Sequence, residues 1–381
     1  MIGQEDDKAR VQSELEDLKE HAKATSKADL ESGAWFPRLL RMALETYSRE
    51  VNAEFFFRKY PGLPADAIAE RRIHLAQRYA MIEGGLTATA YTAAIAATIG
   101  SGGGASPLTL PGALLTFTID LMYVTRLQLR LAYDLATLYG TPVDINDPED
   151  LYDVIRVAFG IKAGEALRGA LPRMAPEAAR QGVKAVIKGP VLAALQALPV
   201  VGQYLLQRNI VKFAVPVIGI PLSMKLNHYM TGRVGKLART IYRDKAAIQE
   251  MVHRLPDHVD AEASLLLRAV WFVVNADQRV EAEEAWMLKS LVAHLAGHDG
   301  TAAAIADFRA MVNLKEDALF REMDGLDPST AAVIFDFACT AAIVDRNLAD
   351  SETAALQKLA DALHQEFDTA ALRKRAKHGV V

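Results

Sequence analysis

The sequence predicts an all-α fold, and three observations support this prediction. Apolar residues recur at helical spacing through most of the 381 residues. No segment keeps a period of two between hairpin turns, so no sheet is expected. A content of 51% hydrophobic and 24% charged residues is typical of a globular chain, and this length favours two or three domains.

The predicted helices are separated by turn residues. Gly62 lies in the turn at 60–64, Gly140 ends one helix before Pro148 begins the next, and Pro256 separates two large parts of the chain. The segments with helical periodicity are 35–51, 67–83, 114–139, 148–159, 222–249 and most of 261–368.

The N-terminal segment and the cysteine content indicate the compartment. The segment 1–30 is acidic and polar, which excludes a signal or transit peptide and predicts a solvated, frayed helix. Cys339 is the only cysteine, so no intramolecular disulfide forms and a reducing compartment fits. We therefore expect a cytoplasmic protein, with a peripheral position at the inner face of the membrane as the second expectation.

Charge is divided unevenly along the chain. Residues 1–250 carry 30 basic and 26 acidic side chains, whereas residues 251–381 carry 13 basic and 21 acidic ones. Opposite net charges indicate two modules with different partners, or two modules that attract each other. The predicted organisation is a polar N-terminal helix at 1–30, a domain at 31–250, a second domain at 258–370 and a basic tail at 371–381.

The stretch from Ala178 to Arg243 contains no Asp or Glu. It also holds two apolar runs, 191–206 and 213–224. A segment that is both apolar and purely cationic suits an anionic membrane surface or lipid headgroup, and a helical core with a solvated basic rim is the alternative. Its ten basic residues are Arg180, Lys184, Lys188, Arg208, Lys212, Lys225, Arg233, Lys236, Arg239 and Arg243.

Residues 84–119 form a run without charged side chains. The run is long enough for a membrane-spanning helix, but residues 84–99 are mostly Ala, Thr and Gly, which insert poorly. The glycines at 100–104 and Pro111 are both predicted to break the helix. We therefore expect two helices that are joined by a glycine-rich turn and packed through small residues.

Charged residues interrupt the apolar pattern of the helix at 114–139. Asp120 lies among apolar residues, and burying it without a partner costs several kcal/mol. Arg130 and Asp134 are spaced i,i+4 and are predicted to pair. Two interpretations follow: a polar site in an apolar cavity, to which Arg126 contributes, or a structural ion pair between helices.

Two groups of residues resemble the EcsC family, over roughly residues 35–250. The first group is Gly84, Gly85, Ile119, Asp120, Leu127, Gln128, Leu129, Arg130, Leu138, Tyr139 and Gly140. The second group is Pro216, Gly219, Lys225, Asn227, Thr231, Gly235, Ala238, Arg239, Tyr242 and Arg243. The resemblance implies a helical bacterial protein that associates with membranes or lipids, with Asp120 and Asn227 at recurrent polar positions. It brings no catalytic residues.

An internal repeat occupies the second half of the chain. Asp277, Val280 and Glu284 align at one constant offset with Asp345, Leu348 and Glu352. Each set lies at a helix–loop–helix, where a Glu in the first turn favours the helix dipole and Asp and Glu together can bind one cation. The repeat resembles the TerB-like (tellurite-resistance) family, which usually has Gly after the Asp, where this chain has Gln278 and Arg346.

The metal prediction follows from this repeat. A divalent cation is the one cofactor that the sequence suggests, helix capping is the alternative explanation, and Arg346 places a positive charge beside the second Asp. The predicted metal ligands are Asp277, Glu281, Glu284, Asp345 and Glu352.

Several other classes of site are disfavoured. The glycines at 100–104 follow an Ala- and Thr-rich helix and lack a Walker lysine, and no Gly-x-Ser-x-Gly motif occurs. His294 and His298 have zinc-ligand spacing but lack the catalytic Glu. Few aromatic residues lie among the basic ones, so nucleic acid is not an expected partner.

The sequence therefore favours a non-enzymatic protein that binds an anionic membrane surface, a lipid or a hydrophobic ligand, coupled to a stress- or metal-sensing domain. A membrane transporter or another protein is a further candidate partner. The alternative is a soluble carrier or enzyme that acts on a hydrophobic small molecule in a helical-bundle cavity. The predicted ligand- or lipid-binding residues are Asp120, Arg126, Arg130, Lys184, Lys188, Arg208, Lys212, Asn227, Arg233 and Lys236.

Overall fold

Helices are the only regular elements in the described part of this computed structural model, so the all-α prediction is confirmed. The structure describes residues 2–100, 106–141, 143–160, 199, 201–203, 205–206, 219–256, 262–277, 280, 282–296 and 316–378. The helices are α1 (Ile2–Lys23), α2 (Lys27–Ser32), α3 (Trp35–Leu44), α4 (Tyr47–Glu50), α5 (Ala53–Lys59), α6 (Ala65–Gly100), α7 (Ser106–Leu138), α8 (Pro148–Phe159), α9 (Gly219–His253), α10 (Ala263–Val274), α11 (Ala282–Ala296), α12 (Glu316–Met323), α13 (Pro328–Ala342), α14 (Asp350–Ala362) and α15 (Thr369–His378).

The chain divides into two compact units. Unit 1 comprises Met1–Ala170 and Val191–Tyr242, and unit 2 comprises Leu171–Pro190 and Arg243–Val381. The division falls within α9, so this helix contributes to both units. The predicted boundary near Pro256 lies beyond it, because α9 continues as one helix to His253.

Unit 1 is built around α7, which packs against α1, α3, α6 and α8. Three aromatic rings make edge-to-face contacts in its core: Trp35 with Phe36 and Phe36 with Phe159, each with ring centroids 5.8 Å apart. Helix α1 joins this core through Val11 and Leu18, both of which are fully buried. The predicted N-terminal helix is therefore present, but it is not a fully solvated one.

Small residues allow α9 to approach its neighbours closely. A Cβ atom added to Gly84 on α6 would lie 3.1 Å from the Ser223 carbonyl oxygen on α9, and one added to Gly235 would lie 2.7 Å from Ile73. Helix α6 is described as far as Gly100, and the rest of the predicted glycine-rich turn lies outside the described residues, while α7 continues through Pro111. The predicted second break was wrong: Pro111 lies inside α7 and removes one of its backbone hydrogen bonds, but the helix continues on both sides of it.

The uncharged run at 84–119, whose ability to span a membrane was considered above, falls mostly within α6 and α7. Within the described ranges, no helix combines the length and the apolar character that crossing a bilayer requires.

Unit 2 contains the predicted repeat. Its central pair is α10 and α13, and α14 and α15 pack on the same core. The last residues of α10 and α13, Val274 and Ala342, are separated by the same offset as Asp277 and Asp345, and so are the first residues of α11 and α14. The backbone therefore repeats with the offset that the sequence predicts.

The predicted basic tail is a structured part of unit 2. In α15, Leu372 and Ala376 are buried, and Arg373 pairs with Asp350 at 2.9 Å. Arg375 also pairs with Asp336, at 3.1 Å. The tail extends the domain beyond residue 370 because one face of this short helix is apolar.

Candidate functional site

Two buried carboxyl groups meet in the interior of unit 1. Glu83 on α6 and Asp120 on α7 are both fully buried. The Asn227 side-chain amide on α9 donates to Glu83 Oε2 at 2.8 Å and to Asp120 Oδ1 at 3.5 Å. The Thr87 hydroxyl contacts the same carboxyls, at 3.1 Å from Glu83 Oε1 and 3.3 Å from Asp120 Oδ1. Together with Ser223, these residues form the buried polar centre.

The sequence predicted part of this centre. Asp120 and Asn227 were both predicted as ligand-binding residues, and the structure brings them together although they are 107 positions apart. Glu83 and Thr87 were missed. Their signal was local: Glu83 is the last charged residue before the run at 84–119, and Thr87 follows it by one helical turn.

Arg126, which was predicted to share this site, and Arg130, another predicted ligand-binding residue, lie instead in an arginine-rich cleft of unit 1. Arg126 donates to the Glu14 carboxylate at 2.9 Å, and Arg130 donates to the Ala43 carbonyl oxygen at 3.0 Å. The cleft encloses about 40 Å³, which is room for little more than ordered water. Its lining residues include Arg10, Glu14, Tyr47, Arg72, Tyr79, Arg126, Arg130 and Asp134.

Asp134 is the acidic centre of that cleft. It accepts hydrogen bonds from Arg72 Nη2 at 2.5 Å and from the Tyr47 hydroxyl at 2.7 Å. The predicted pairing of Arg130 with Asp134 was wrong. The Arg130 guanidinium instead lies over the Tyr47 ring, 4.7 Å from its centroid.

Burial and charge shift two pKa values in the cleft. Burial lowers the pKa of the Arg126 guanidinium, and the Glu14 carboxylate partly offsets this decrease. Burial also disfavours the charged form of Arg72, but the adjacent Asp134 carboxylate outweighs it and raises the pKa of Arg72. The Arg72 guanidinium therefore stays charged beside Asp134.

The outer side of α9 within unit 1 carries a cationic face, which we define as Leu222, Lys225, Tyr229, Arg233, Lys236 and Leu237. All six side chains are exposed. The inner side of the same helix carries buried residues, among them Ser223, Asn227 and Thr231. Arg233 and Lys236 were predicted as lipid-binding residues and lie on this face. The related predictions for Lys184, Lys188, Arg208 and Lys212 fall outside the described residues.

In unit 2, acidic residues of the two repeats lie together. We call Asp277, Glu284, Asp345 and Glu352 the acidic group of unit 2. A hydrogen bond joins the carboxyl groups of Glu284 and Glu352, and Asp277 and Asp345 lie close enough to disfavour ionisation of Glu352. Burial first, and these carboxylates second, raise the pKa of Glu352 to about 7. Glu352 also accepts the Ala349 backbone N–H at 2.6 Å, which is a helix-capping contact.

The structure does not show a metal site in this acidic group. Among the residues that the structure describes, no three His, Cys, Asp or Glu side chains are close enough to hold one metal ion. Glu281 lies outside the described residues, so metal binding by the predicted set stays a prediction. The capping role that the sequence offered as the alternative is present at Glu352.

The Arg346 guanidinium does not pair with the acidic group of unit 2. Its backbone has a φ of 68°, the left-handed conformation that favours glycine. Its guanidinium instead pairs with the buried Asp244 of α9, with Nη2 at 2.5 Å from Oδ2.

Neither the histidines nor the cysteine adds a further site. The ring of His294 lies edge-to-face against His253 with centroids 5.4 Å apart, while its predicted partner His298 is outside the described residues. Cys339 is buried, and burial raises the pKa of its thiol to about 12, as expected for an unreactive core thiol.

No family model, curated protein or solved structure matches this chain. The resemblances to the EcsC and TerB-like families therefore remain predictions from the sequence. The candidate sites rest on the geometry described above: the buried polar centre, the cationic face and the acidic group of unit 2.

Proposed function

We propose that the protein associates peripherally with anionic lipid surfaces through the cationic face of α9. The observation that carries the proposal is the combination of three exposed basic and three exposed large apolar side chains on one side of this helix. No acidic residue interrupts the sequence from Ala178 to Arg243.

The spacing of these side chains forms a continuous stripe. At 3.6 residues per turn, the six residues fall within about a third of the helix circumference, and positions 222–237 extend over about 22 Å. A stripe of this kind can lie in the plane of a membrane interface, with apolar side chains inserted and basic ones at the headgroups.

The apolar part of the face is unusual within this molecule. Five large apolar side chains are exposed among the described residues, and three of them, Leu222, Tyr229 and Leu237, lie on this stripe. Tyr229 is 57% exposed, and the Arg233 guanidinium lies 5.9 Å from its ring centroid. Tyrosine and arginine are residues that favour the boundary between headgroups and acyl chains.

The basic part of the face supplies the electrostatic attraction. Lys225, Arg233 and Lys236 are exposed, whereas Arg239 pairs with Asp66 at 3.2 Å. Each basic residue near an anionic surface contributes about 1 kcal/mol, so three contribute about 3 kcal/mol, which is a factor of about 100 in affinity.

Vesicle co-sedimentation tests this proposal. The full chain should bind vesicles rich in phosphatidylglycerol, bind neutral phosphatidylcholine vesicles less, and lose binding as salt screens the charges. A triple variant, Lys225→Ser, Arg233→Ser and Lys236→Ser, should reduce binding about 100-fold. The matched control removes the same charge from Lys8, Lys23 and Lys27, which are exposed on other helices of unit 1.

The apolar residues need a separate variant. Changing Leu222, Tyr229 and Leu237 to Ser leaves the charge intact, so binding that remains would be purely electrostatic and more sensitive to salt. Equal binding by the wild type, the cationic-face triple variant and the control would sink the proposal, as would a failure to bind anionic vesicles at low salt.

A second candidate function rests on the acidic group of unit 2. Because the pKa of Glu352 is about 7, its protonation changes near neutral pH, and a change of proton concentration would alter this group. This supports the sensing role expected of a TerB-like domain. Titration of the Glu352 carboxyl by NMR, with Glu284→Gln as the comparison, tests it: a midpoint near 4.5 in the wild type would exclude sensing at neutral pH.

A further inference from the structure

We infer that the arginine-rich cleft of unit 1 binds a phosphate-type oxyanion, either free phosphate or the phosphate group of a larger molecule. The cleft lies between α1, α4, α6 and α7, whereas the cationic face lies on α9, and the two share no residue. Two features of the cleft point to an anion: its excess of positive charge, and the arginine donors that make no hydrogen bond.

The cleft carries more positive than negative charge. In the described part of the chain, four guanidinium groups and two carboxyl groups line it, so two positive charges are in excess. Glu14 accepts hydrogen bonds from Arg126 at 2.9 Å and from Arg10 at 3.4 Å, so one carboxylate is shared by two arginines. Asp17 also attracts Arg126 from outside the lining, and counting it still leaves one positive charge in excess.

Two further acidic residues near the cleft already have arginine partners. Asp134 accepts from Arg72 Nε at 2.9 Å and from the Tyr47 hydroxyl at 2.7 Å. Asp7 on α1 pairs with Arg78 at 2.7 Å. Neither carboxylate is therefore left to balance the other arginines of the cleft.

Two arginines of α7 have unused donors in the cleft. Arg126 is more than nine-tenths buried, and its Nη2 donates to the carboxylate and to the carbonyl oxygen of Glu14. Arg130 donates from Nε to the Ala43 carbonyl oxygen. Within the described ranges, Nε and Nη1 of Arg126 and both terminal nitrogens of Arg130 make no hydrogen bond. Buried polar groups are normally satisfied, so these donors are available to a ligand.

The same two arginines also repel each other. Arg126 and Arg130 are spaced i,i+4 on α7, where like charges are neighbours on the helix surface and destabilise it. Burial is the main cause that lowers the pKa of Arg126, and the charge of Arg130 adds to it. An anion bound between the two guanidinium groups would replace this repulsion with two attractions.

Size and donor geometry select the class of anion. The cleft encloses about 40 Å³, and one ordered water needs about 10–15 Å³, so a small oxyanion fits in the space of about three waters. Guanidinium groups form paired hydrogen bonds with phosphate oxygens, and a phosphate group carries about −1.5 to −2 charges at pH 7. The side chain of Arg10 is 59% exposed, so the cleft reaches solvent there and a larger molecule can present its phosphate group.

Isothermal titration calorimetry of the full chain with inorganic phosphate tests the inference, in chloride buffer at constant ionic strength. The wild type should bind one phosphate, and phosphate should raise the melting temperature, because a ligand that binds the folded state stabilises it. Acetate should bind about tenfold more weakly, since it has one charge and engages one guanidinium. The cationic-face triple variant should bind phosphate as the wild type does, which excludes that face as the source of binding.

Variants of the cleft provide the decisive comparison. Arg126→Gln and Arg130→Gln should each weaken phosphate binding about 10- to 100-fold, which is the contribution of hydrogen bonds to a charged group. Arg71→Gln is the matched control, because Arg71 is exposed on α6, and it should leave the affinity unchanged. No described carboxylate pairs with Arg130, so Arg130→Gln breaks no ion pair, should fold, and decides the comparison should Arg126→Gln fail to fold.

Glycerol 3-phosphate distinguishes the two sources of the anion. Tighter binding than that of inorganic phosphate would identify the phosphate group of a larger molecule, weaker binding would identify the free ion, and both results support the inference. It is overturned if phosphate produces neither binding heat nor a rise in melting temperature, or if acetate binds as tightly as phosphate. Equal phosphate affinity of Arg130→Gln and Arg71→Gln would also overturn it.

Discussion

Arg346 and Asp244 form an ion pair within unit 2 although 102 residues separate them in the chain, with the guanidinium Nη2 at 2.5 Å from the carboxylate Oδ2. Asp244 is buried, and Arg346 has a positive φ that costs a residue with a side chain about 1–2 kcal/mol. A strained backbone is therefore retained where glycine would be relaxed, and the ion pair is the contact that the arginine adds.

This relationship makes a prediction that separates strain from charge. Arg346→Ala loses the ion pair and keeps the strain, so it should lower the free energy of unfolding of unit 2 by about 3 kcal/mol. Arg346→Gly loses the pair but relieves the strain, and should be about 1 kcal/mol more stable than Arg346→Ala. Urea denaturation measures both values. Equal stability of the two variants would show that the backbone at 346 is not strained.

The pKa of Glu352 predicts how the stability of unit 2 depends on pH. Its value of about 7 in the folded protein lies above the ordinary 4.5, so the folded state binds more protons than the unfolded state between these values. Stability should therefore fall as the pH rises from about 4.5 to 7. Glu352→Gln should remove this slope and be more stable than the wild type at pH 8, because its amide oxygen still accepts the Ala349 N–H.

The control for this prediction is Glu366→Gln, which changes an exposed carboxylate of unit 2 and should leave the slope unchanged. Tryptophan fluorescence reports the transition, since Trp271 and Trp286 both belong to unit 2. A pH profile of Glu352→Gln that runs parallel to the wild-type profile would assign the slope to other groups.

The sequence predicts the local structure more accurately than it predicts which residues pair with the charged side chains. The helix–loop–helix repeat was readable because both Asp and Glu recur at the same spacing, and the helix ends follow with the same offset along the chain. Helix α1 was misjudged because its polar composition outweighed Val11, Leu15, Leu18 and Ala22, whose spacing of three and four residues marks a buried stripe.

Pairing across helices could not be derived from periodicity. Asp134 has Arg130 one turn away on its own helix, yet it pairs with Arg72 on α6, 62 residues earlier. Glu83 and Asp120 lie together in the interior for the same reason. Helix packing, rather than distance along the sequence, decides which buried charged residues meet. A charged residue in an apolar run thus predicts that a polar partner exists, without identifying that partner.

Two adjacent glycines on α6 allow a matched test of the buried polar centre. A Cβ atom at Gly84 would lie 3.0 Å from Asn227 Nδ2 and 3.1 Å from the Ser223 backbone, so Gly84→Ala should separate α6 from α9 and cost about 1–3 kcal/mol. A Cβ atom at Gly85 meets only the flexible Met224 side chain at 3.3 Å, so Gly85→Ala should be neutral or stabilising by up to about 1 kcal/mol.

Thermal unfolding of the two glycine variants checks this prediction, and the Asn227 side-chain amide resonance in NMR reports whether its contact with Glu83 persists. The resonance should shift in Gly84→Ala and stay in place in Gly85→Ala. If Gly84→Ala were as stable as Gly85→Ala, the close approach of α6 and α9 at the centre would be contradicted.

Asp134 should be the costliest single carboxylate to remove from the arginine-rich cleft. Its side chain is 1% exposed and that of Arg72 is 17% exposed, so Asp134→Ala leaves a largely buried guanidinium without its counter-charge. Breaking such a pair costs about 3–5 kcal/mol. By contrast, Glu45→Ala removes the partner of Arg49 in a pair that is well exposed on both sides, and should cost less than about 0.5 kcal/mol. Chemical denaturation, followed through the buried Trp35 of unit 1, compares the two variants. A loss below about 1 kcal/mol for Asp134→Ala would mean that Arg72 finds another partner, and the network of Tyr47, Arg72 and Asp134 would then not stabilise this unit.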